Sequence, residues 1–306
     1  MSFSVTLSTV LVMLAYAVPG WLLVKFKKIP KSAISAFATF LLYVCSPMQA
    51  IYAMQATEYS PYMLKYLGLS LVISALSMSL MLAVVYFFLR RRQSDVPYRI
   101  CVVASSMGNV GFMGLPLIQA LLPDYPQMQV FLTMFILTLN LVMWSLGSWI
   151  TTRDRRYLSA KRVLLNPGCI AIVIGLALFF GRVRITGQAG SMVELLGRMS
   201  TPVCMLILGM RLATVPLASV FTARLPYLSS ALKLIVFPLA TLALCSLLPV
   251  ERDFIRGIFI LSCMPSGNLV LSFAEMLGEG QREAANTVLL CTMLSMITIP
   301  LMLLLI

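Results

Sequence analysis

The residues best suited to chemistry in this chain are two Gly-Asn pairs, each set in the middle of an apolar run. Ser105-Ser106-Met107-Gly108-Asn109-Val110-Gly111 interrupts residues 99–122, and Met264-Pro265-Ser266-Gly267-Asn268 interrupts residues 256–278. Glycine costs about 1 kcal/mol in a helix interior and proline about 3, so these clusters, with Gly114 and Pro116 following the first, predict real breaks. A broken helix turns the N–H groups of its second half toward the break, a partial positive charge that suits a carboxylate. The amides of Asn109 and Asn268 and the hydroxyls of Ser105, Ser106 and Ser266 add donors. The chemistry predicted is anion binding, without bond making. The chain contains no histidine, which removes the usual metal ligand and the commonest general base, and no catalytic residue, metal site or cofactor is assigned.

Such breaks must be positioned by membrane helices. Of 306 residues, 60% are apolar and 11% charged, far from the roughly 45–50% apolar content of a soluble domain. Apolar runs alternate with polar breaks to give ten spans near 4–24, 33–54, 62–89, 99–122, 128–151, 163–181, 191–212, 225–248, 256–278 and 284–305. Since a span needs about 20 residues, ten take up roughly 200 and leave no room for a soluble domain. An all-α polytopic membrane protein is the expected fold class. Breaks at mid-membrane survive only where protein or a wet cavity satisfies the freed backbone, as at the sites of secondary transporters.

The net charge of +13 raises nucleic acid as a partner, but the basic residues collect in short loops, which membrane orientation explains better. One set of loops holds Lys25, Lys27, Lys28, Lys31, Arg90, Arg91, Arg92, Arg99, Arg153, Arg155, Arg156, Lys161, Arg162, Arg211, Arg224 and Arg282; the other holds Lys65, Arg182, Arg184, Arg252 and Arg256. The positive-inside rule then places both termini outside the cell membrane. Lys25, at the end of the first apolar run, follows it rather than preceding it, so an uncleaved first span is expected in place of a signal peptide. All seven cysteines fall inside the apolar runs and read as small packing residues.

Five spans per half is an odd number, so the second half inserts upside down relative to the first. The halves match further: Ser46-Pro47 in span 2 corresponds to Thr201-Pro202 in span 7, each upstream of its half's Gly-Asn pair. Residues 1–152 form the first five-helix repeat, 153–162 a short basic cytoplasmic linker, and 163–306 the inverted second repeat.

At this level the chain resembles the auxin efflux carrier family of bacterial and plant transporters, over essentially its whole length. The resemblance rests on Gly108-Asn109-Val110-Gly111-Phe112-Met113-Gly114-Leu115-Pro116, on Asn140 with Trp144-Ser145-Leu146-Gly147, and on Asn166-Pro167-Gly168 with Gly175-Leu176. Thr201-Pro202 with Gly209, Lys233 with Pro238, and Ser295-Met296-Ile297-Thr298-Ile299-Pro300 complete it. It implies ten helices in two inverted repeats, crossing broken helices 4 and 9, and elevator-like alternating access. Helices 1, 2, 6 and 7 would be the scaffold and helices 3–5 and 8–10 the moving domain. Homodimers, and substrates that are auxin-like aromatic carboxylates or malate-like acids, are also implied. The long cytoplasmic loop of many plant members is missing, as in a bacterial member, and Ser266-Gly267-Asn268 replaces the small apolar residues expected after the span 9 proline.

The leading expectation is a secondary transporter of organic anions, embedded in membrane lipid, with Ser106, Asn109, Ser266, Asn268 and Gln49 at the substrate and Gly108, Gly111, Pro116, Pro265 and Gly267 holding the breaks. For Gly111 and Gly114 close helix packing is an equal reading. Lys233 either snorkels to the interface or compensates a substrate's charge from within span 8. Glu275, near the end of span 9, reads as solvated, with proton coupling as the alternative, and Glu194 and Arg198, four apart, read as a structural pair. No Walker motif is present, so a gradient would supply the energy. A receptor that binds a carboxylate without moving it, and an intramembrane enzyme, are the alternatives.

Overall fold

The computed structural model describes residues 3–153 and 165–306, and its regular structure is helical, with no strand among those residues. In chain order the helices are α1 (Phe3–Lys25), α2 (Ala33–Met54), α3 (Pro61–Arg92), α4 (Val96–Ala104), α5 (Val110–Leu121), α6 (Gln127–Thr152) and α7 (Pro167–Phe180). They continue with α8 (Gly187–Leu212), α9 (Leu217–Thr222), α10 (Arg224–Ser246), α11 (Arg252–Ser262), α12 (Asn268–Leu277) and α13 (Gln281–Leu305). Seven of these (α1, α2, α3, α6, α8, α10 and α13) are long and apolar enough to cross a membrane. The other three runs read as spans are shorter pieces. Residues 99–122 and 256–278 are each split into two helices, and α7 is only 14 residues long. Most of the linker expected at 153–162 lies outside the described residues.

Besides Pro300, which lies inside α13, proline punctuates the helices in two ways. Pro61, Pro97 and Pro167 sit in first turns, where the missing N–H is no loss. Pro47, Pro116 and Pro238 instead follow a five-residue widened turn, at Leu41–Cys45, Val110–Gly114 and Leu232–Val236. Inside a helix a proline ring collides with the carbonyl four residues back, and one extra residue in the turn absorbs the collision.

Two sets of helices pack closely among themselves, and α1 also packs on α5 and α13 of the second set. In the first, α1 lies against α8 and α2 lies against both α7 and α8. Backbone meets backbone there: a Cβ on Gly20 would run into the Leu206 carbonyl, and one on Gly209 into the Ala17 carbonyl. Gly197 likewise lets α8 approach the Met48 carbonyl of α2, where a Cβ would sit 3.1 Å away. In the second group α3 packs on α6 and α10, and α13 packs on α4, α10 and α12. The turn between α12 and α13 needs glycine at Gly280, whose φ is +69° and where a side chain would strike Val96 and Ile100.

Candidate functional site

The two breaks cross. Between α4 and α5, and between α11 and α12, the chain runs extended, and the two stretches pair antiparallel as a single bridge of Gly108 with Ser266. Asn109 N–H donates to the Pro265 carbonyl at 2.7 Å and Gly267 N–H to the Met107 carbonyl at 2.9 Å. Each break therefore satisfies the other's freed backbone. Both Gly-Asn pairs arrive at one depth because their asparagines begin, or immediately precede, the second half-helix of each run.

Those half-helices start at the same cavity. Along α5 the first N–H to find an acceptor is that of Met113, on the Asn109 carbonyl at 3.1 Å, so those of Val110, Gly111 and Phe112 precede any partner. In α12 the N–H of Val270 reaches the Gly267 carbonyl at 3.2 Å, after Asn268 and Leu269. Val110, Gly111, Phe112, Asn268 and Leu269 line a cavity of about 730 Å³, which extends from the crossing to Lys31, Arg211 and Thr214. Its remaining wall is largely apolar and includes Ile136, Ile207, Phe273 and Trp144, the last two in edge contact at 4.8 Å.

Asn109 and Asn268 converge on a third side chain. The Nδ2 of Asn268 lies 3.4 Å, and that of Asn109 3.9 Å, from Sγ of Cys204 on α8, a buried thiol. Gln49 of α2 also reaches the site, its Nε2 donating to the Gly111 carbonyl at 2.7 Å. Thr201 of α8 donates through Oγ1 to the Phe112 carbonyl, also at 2.7 Å. The cause of both bonds is Pro116. A carbonyl four or five residues before a proline has no N–H to accept from, and Phe112 and Gly111 stand at those two offsets. A side chain from each of two first-group helices takes over one orphaned carbonyl.

Other predicted residues lie elsewhere. Ser106 and Ser266 are buried but do not face the cavity. Extended residues alternate sides, and the bridge turns Ser266 away, so that its Oγ donates to the Ala104 carbonyl at 2.9 Å and lies 3.4 Å from Cys291 Sγ. Ser106 ends the last turn of α4, its N–H on the Val103 carbonyl and its hydroxyl without a partner. The snorkelling reading of Lys233 is overturned. Its side chain is fully buried behind the crossing, with Nζ donating to the Ser262 carbonyl at 2.7 Å and lying 4.4 Å from the Phe237 ring centre. A cation thus caps the C-terminal end of α11, where the helix dipole is negative, close enough that a Cβ on Gly108 would be 3.4 Å from Nζ. Among the described residues no carboxylate pairs with it. Glu275 is half-exposed and, instead of standing free in solvent, is held bidentate by Arg211. Glu194 and Arg198 pair at 2.7 Å as their spacing predicts.

Cys204, Asn140, Trp144 and Arg211 also border the site and were not singled out for it by sequence. Cys204 was signalled by the repeat: it follows Pro202 by the two residues that separate Gln49 from Pro47.

A family model described as membrane transport protein matches residues 4–303. The chain belongs to this membrane transport protein family. The matched stretch takes in both breaks, their crossing and every cavity residue, so the site lies within what defines the family and not in an appended segment. A search of curated proteins finds no match. Membership of a transport family agrees with a site that offers donors and an apolar wall.

Proposed function

We propose that this protein is a secondary transporter of organic anions, working by elevator-type alternating access in the cell membrane. The observation that carries the reading is the meeting of two half-helix N-termini, each with an asparagine, in the wall of one cavity. An anion placed there receives first-turn N–H groups from opposite directions and the amides of Asn109 and Asn268, without needing a paired cation. The apolar wall and a volume of about 730 Å³ favour a carboxylate with a hydrophobic body over a small, fully polar one. Lys233 adds a buried positive charge behind the crossing.

The ten-span inverted repeat and the division into a scaffold and a moving domain belong to this proposal. The split in packing supports them. Helices α1, α2, α7 and α8 would be the scaffold, while the crossing and Lys233 travel with the other group. The cavity borders Lys31 and Arg211, so the positive-inside reading makes this the cytoplasm-facing state, with both termini outside.

Uptake into proteoliposomes tests the function. Radiolabelled benzoate, phenylacetate and malate should enter liposomes containing the wild-type protein, and Asn109→Ala and Asn268→Ala should each cut uptake at least tenfold while retaining the wild-type elution profile. Normal uptake kinetics in both variants refute the site. Binding without uptake by the wild type refutes transport in favour of a receptor.

A further inference from the structure

Arg211 and Glu275 face each other across the two packing groups, one in the last turn of α8 and the other toward the end of α12, and both line the cavity. Nη1 and Nη2 of Arg211 hold Oε1 and Oε2 of Glu275. The arrangement is lopsided. The arginine side chain is 13% exposed and the glutamate 44%, so the cation is fixed in the wall while the carboxylate already reaches water. The guanidinium is also incompletely satisfied, because its Nε is buried with no acceptor. A planar fork of five donors that meets a single half-exposed carboxylate end-on is not locked to it, so one carboxylate can be exchanged for another at the same face.

We propose that Arg211 is the entry contact for substrate carboxylates and that Glu275 is its resident competitor. An incoming anion takes the guanidinium, and the Glu275 carboxylate, half in water already, is released to solvent. The exchange is charge-balanced, one carboxylate for another, with no proton moved. It has two results. The anion is drawn toward the N-termini of α5 and α12 in the cavity wall. The only ion pair among the described residues that ties α8 to α12 is opened at the moment a substrate arrives, so release of the half-helix is conditional on the substrate. This inference rests on the organic-anion reading of the same cavity, and adds to it a residue that selects anions at the mouth.

Equilibrium binding of benzoate at fixed ionic strength, measured by titration calorimetry on the purified full chain, tests it. Glu275→Gln removes the competing charge and keeps a hydrogen-bonding side chain, and should tighten benzoate binding at least threefold. Arg211→Gln should weaken it at least fivefold, and adding Glu275→Gln to that variant should change nothing further. The exchanged pair Arg211→Glu with Glu275→Arg keeps an ion pair between the helices, so it separates holding the fold from contacting the anion; it should remain folded and lose at least fivefold in affinity. An unchanged or weaker affinity in Glu275→Gln, or wild-type affinity in the exchanged pair, overturns the inference while the transport reading stands. No benzoate, phenylacetate or malate binding by the wild type overturns the anion reading and this inference with it.

Discussion

Replacing Gly267 by alanine perturbs the crossing at its narrowest point. The backbone there has φ −86° and ψ 157°, which any residue adopts, so the effect is purely one of space. A Cβ would stand 3.1 Å from the Gly108 carbonyl oxygen, 3.2 Å from its carbon and 3.4 Å from the Asn109 nitrogen. All three are backbone atoms of the opposing strand and cannot rotate away. Relief requires the strands to part by a few tenths of an ångström, which lengthens the 2.7 Å and 2.9 Å bonds that close the bridge. Overpacking of this kind costs about 1–3 kcal/mol, and one methyl belongs near the lower end. Parting the strands also separates the two N-termini, each worth up to about 2 kcal/mol to an anion, so benzoate affinity should fall about tenfold. Gly108→Ala is the matched control. Its new Cβ meets side-chain atoms alone, Lys233 Cε and Val110 Cγ2 at 3.3 Å and Lys233 Nζ at 3.4 Å, so the opposing backbone need not move. Thermal unfolding and calorimetric titration of the two variants should show a lower melting temperature and weaker binding for Gly267→Ala, with Gly108→Ala close to wild type. Wild-type affinity in Gly267→Ala, or the reverse ranking, would refute the claim that the tight crossing sets the anion site.

Three further outcomes are expected. Thr201→Val removes the donor of the Phe112 carbonyl, which borders the cavity and can take water in its place, so it should lower unfolding stability by about 0.5–1.5 kcal/mol, the net worth of one hydrogen bond; a loss above about 2 kcal/mol in denaturant titration would show that the carbonyl is left dry. Gly209→Val drives a side chain into the Ala17 carbonyl and should abolish the monodisperse peak in gel filtration, whereas Gly68→Val, with open space around it, should elute normally. Lys233→Gln keeps a donor for the Ser262 carbonyl but removes the charge, so binding of malate should weaken more than that of benzoate; equal losses would assign Lys233 to capping α11 alone.

Composition and the two Gly-Asn pairs reveal the essentials of this protein, because an interruption in an apolar run is visible wherever it falls. The charge pattern of the loops adds the expectation that the two interrupted runs insert in opposite directions. Facing is harder to read. Ser106 and Ser266 lie close in sequence to Asn109 and Asn268, yet neither faces the cavity: Ser106 still belongs to the last turn of α4, and the direction of Ser266 depends on its bridge to Gly108, a register that is a tertiary property. Lys233 shows the same limit. Nine residues into a span, a lysine is compatible with either the interface or the interior, and only the position of the α11 terminus decides. Arg211 serves membrane orientation as any loop arginine does, and its partner, 64 residues away on α12, is not visible in the sequence. Cys204 was concealed by its type, since a cysteine in an apolar run ordinarily packs.

The polar groups released by the breaks are satisfied in two different ways, and the difference bears on how motion is possible. The bridge between Gly108 and Ser266 joins two breaks that belong to the same packing group, so any rigid displacement of that group leaves it intact. The carbonyls freed by Pro116 are bound instead to Gln49 and Thr201, which belong to the other group. Under an elevator motion those two bonds must open, as must the pair between Arg211 and Glu275. Leaving a buried carbonyl unpaired costs about 1–3 kcal/mol, enough to slow the motion if both were opened dry. They are not dry. Gly111 and Phe112 form part of the cavity wall, so water entering from the mouth can replace each side chain as it withdraws. The cavity on this reading has a second task besides holding the anion: it wets the bonds between the two groups and lowers the barrier to sliding. Narrowing it beside Gly111, for example with Ile136→Phe, should therefore slow uptake more than it weakens binding, and an equal effect on both would argue that the cavity serves the substrate alone.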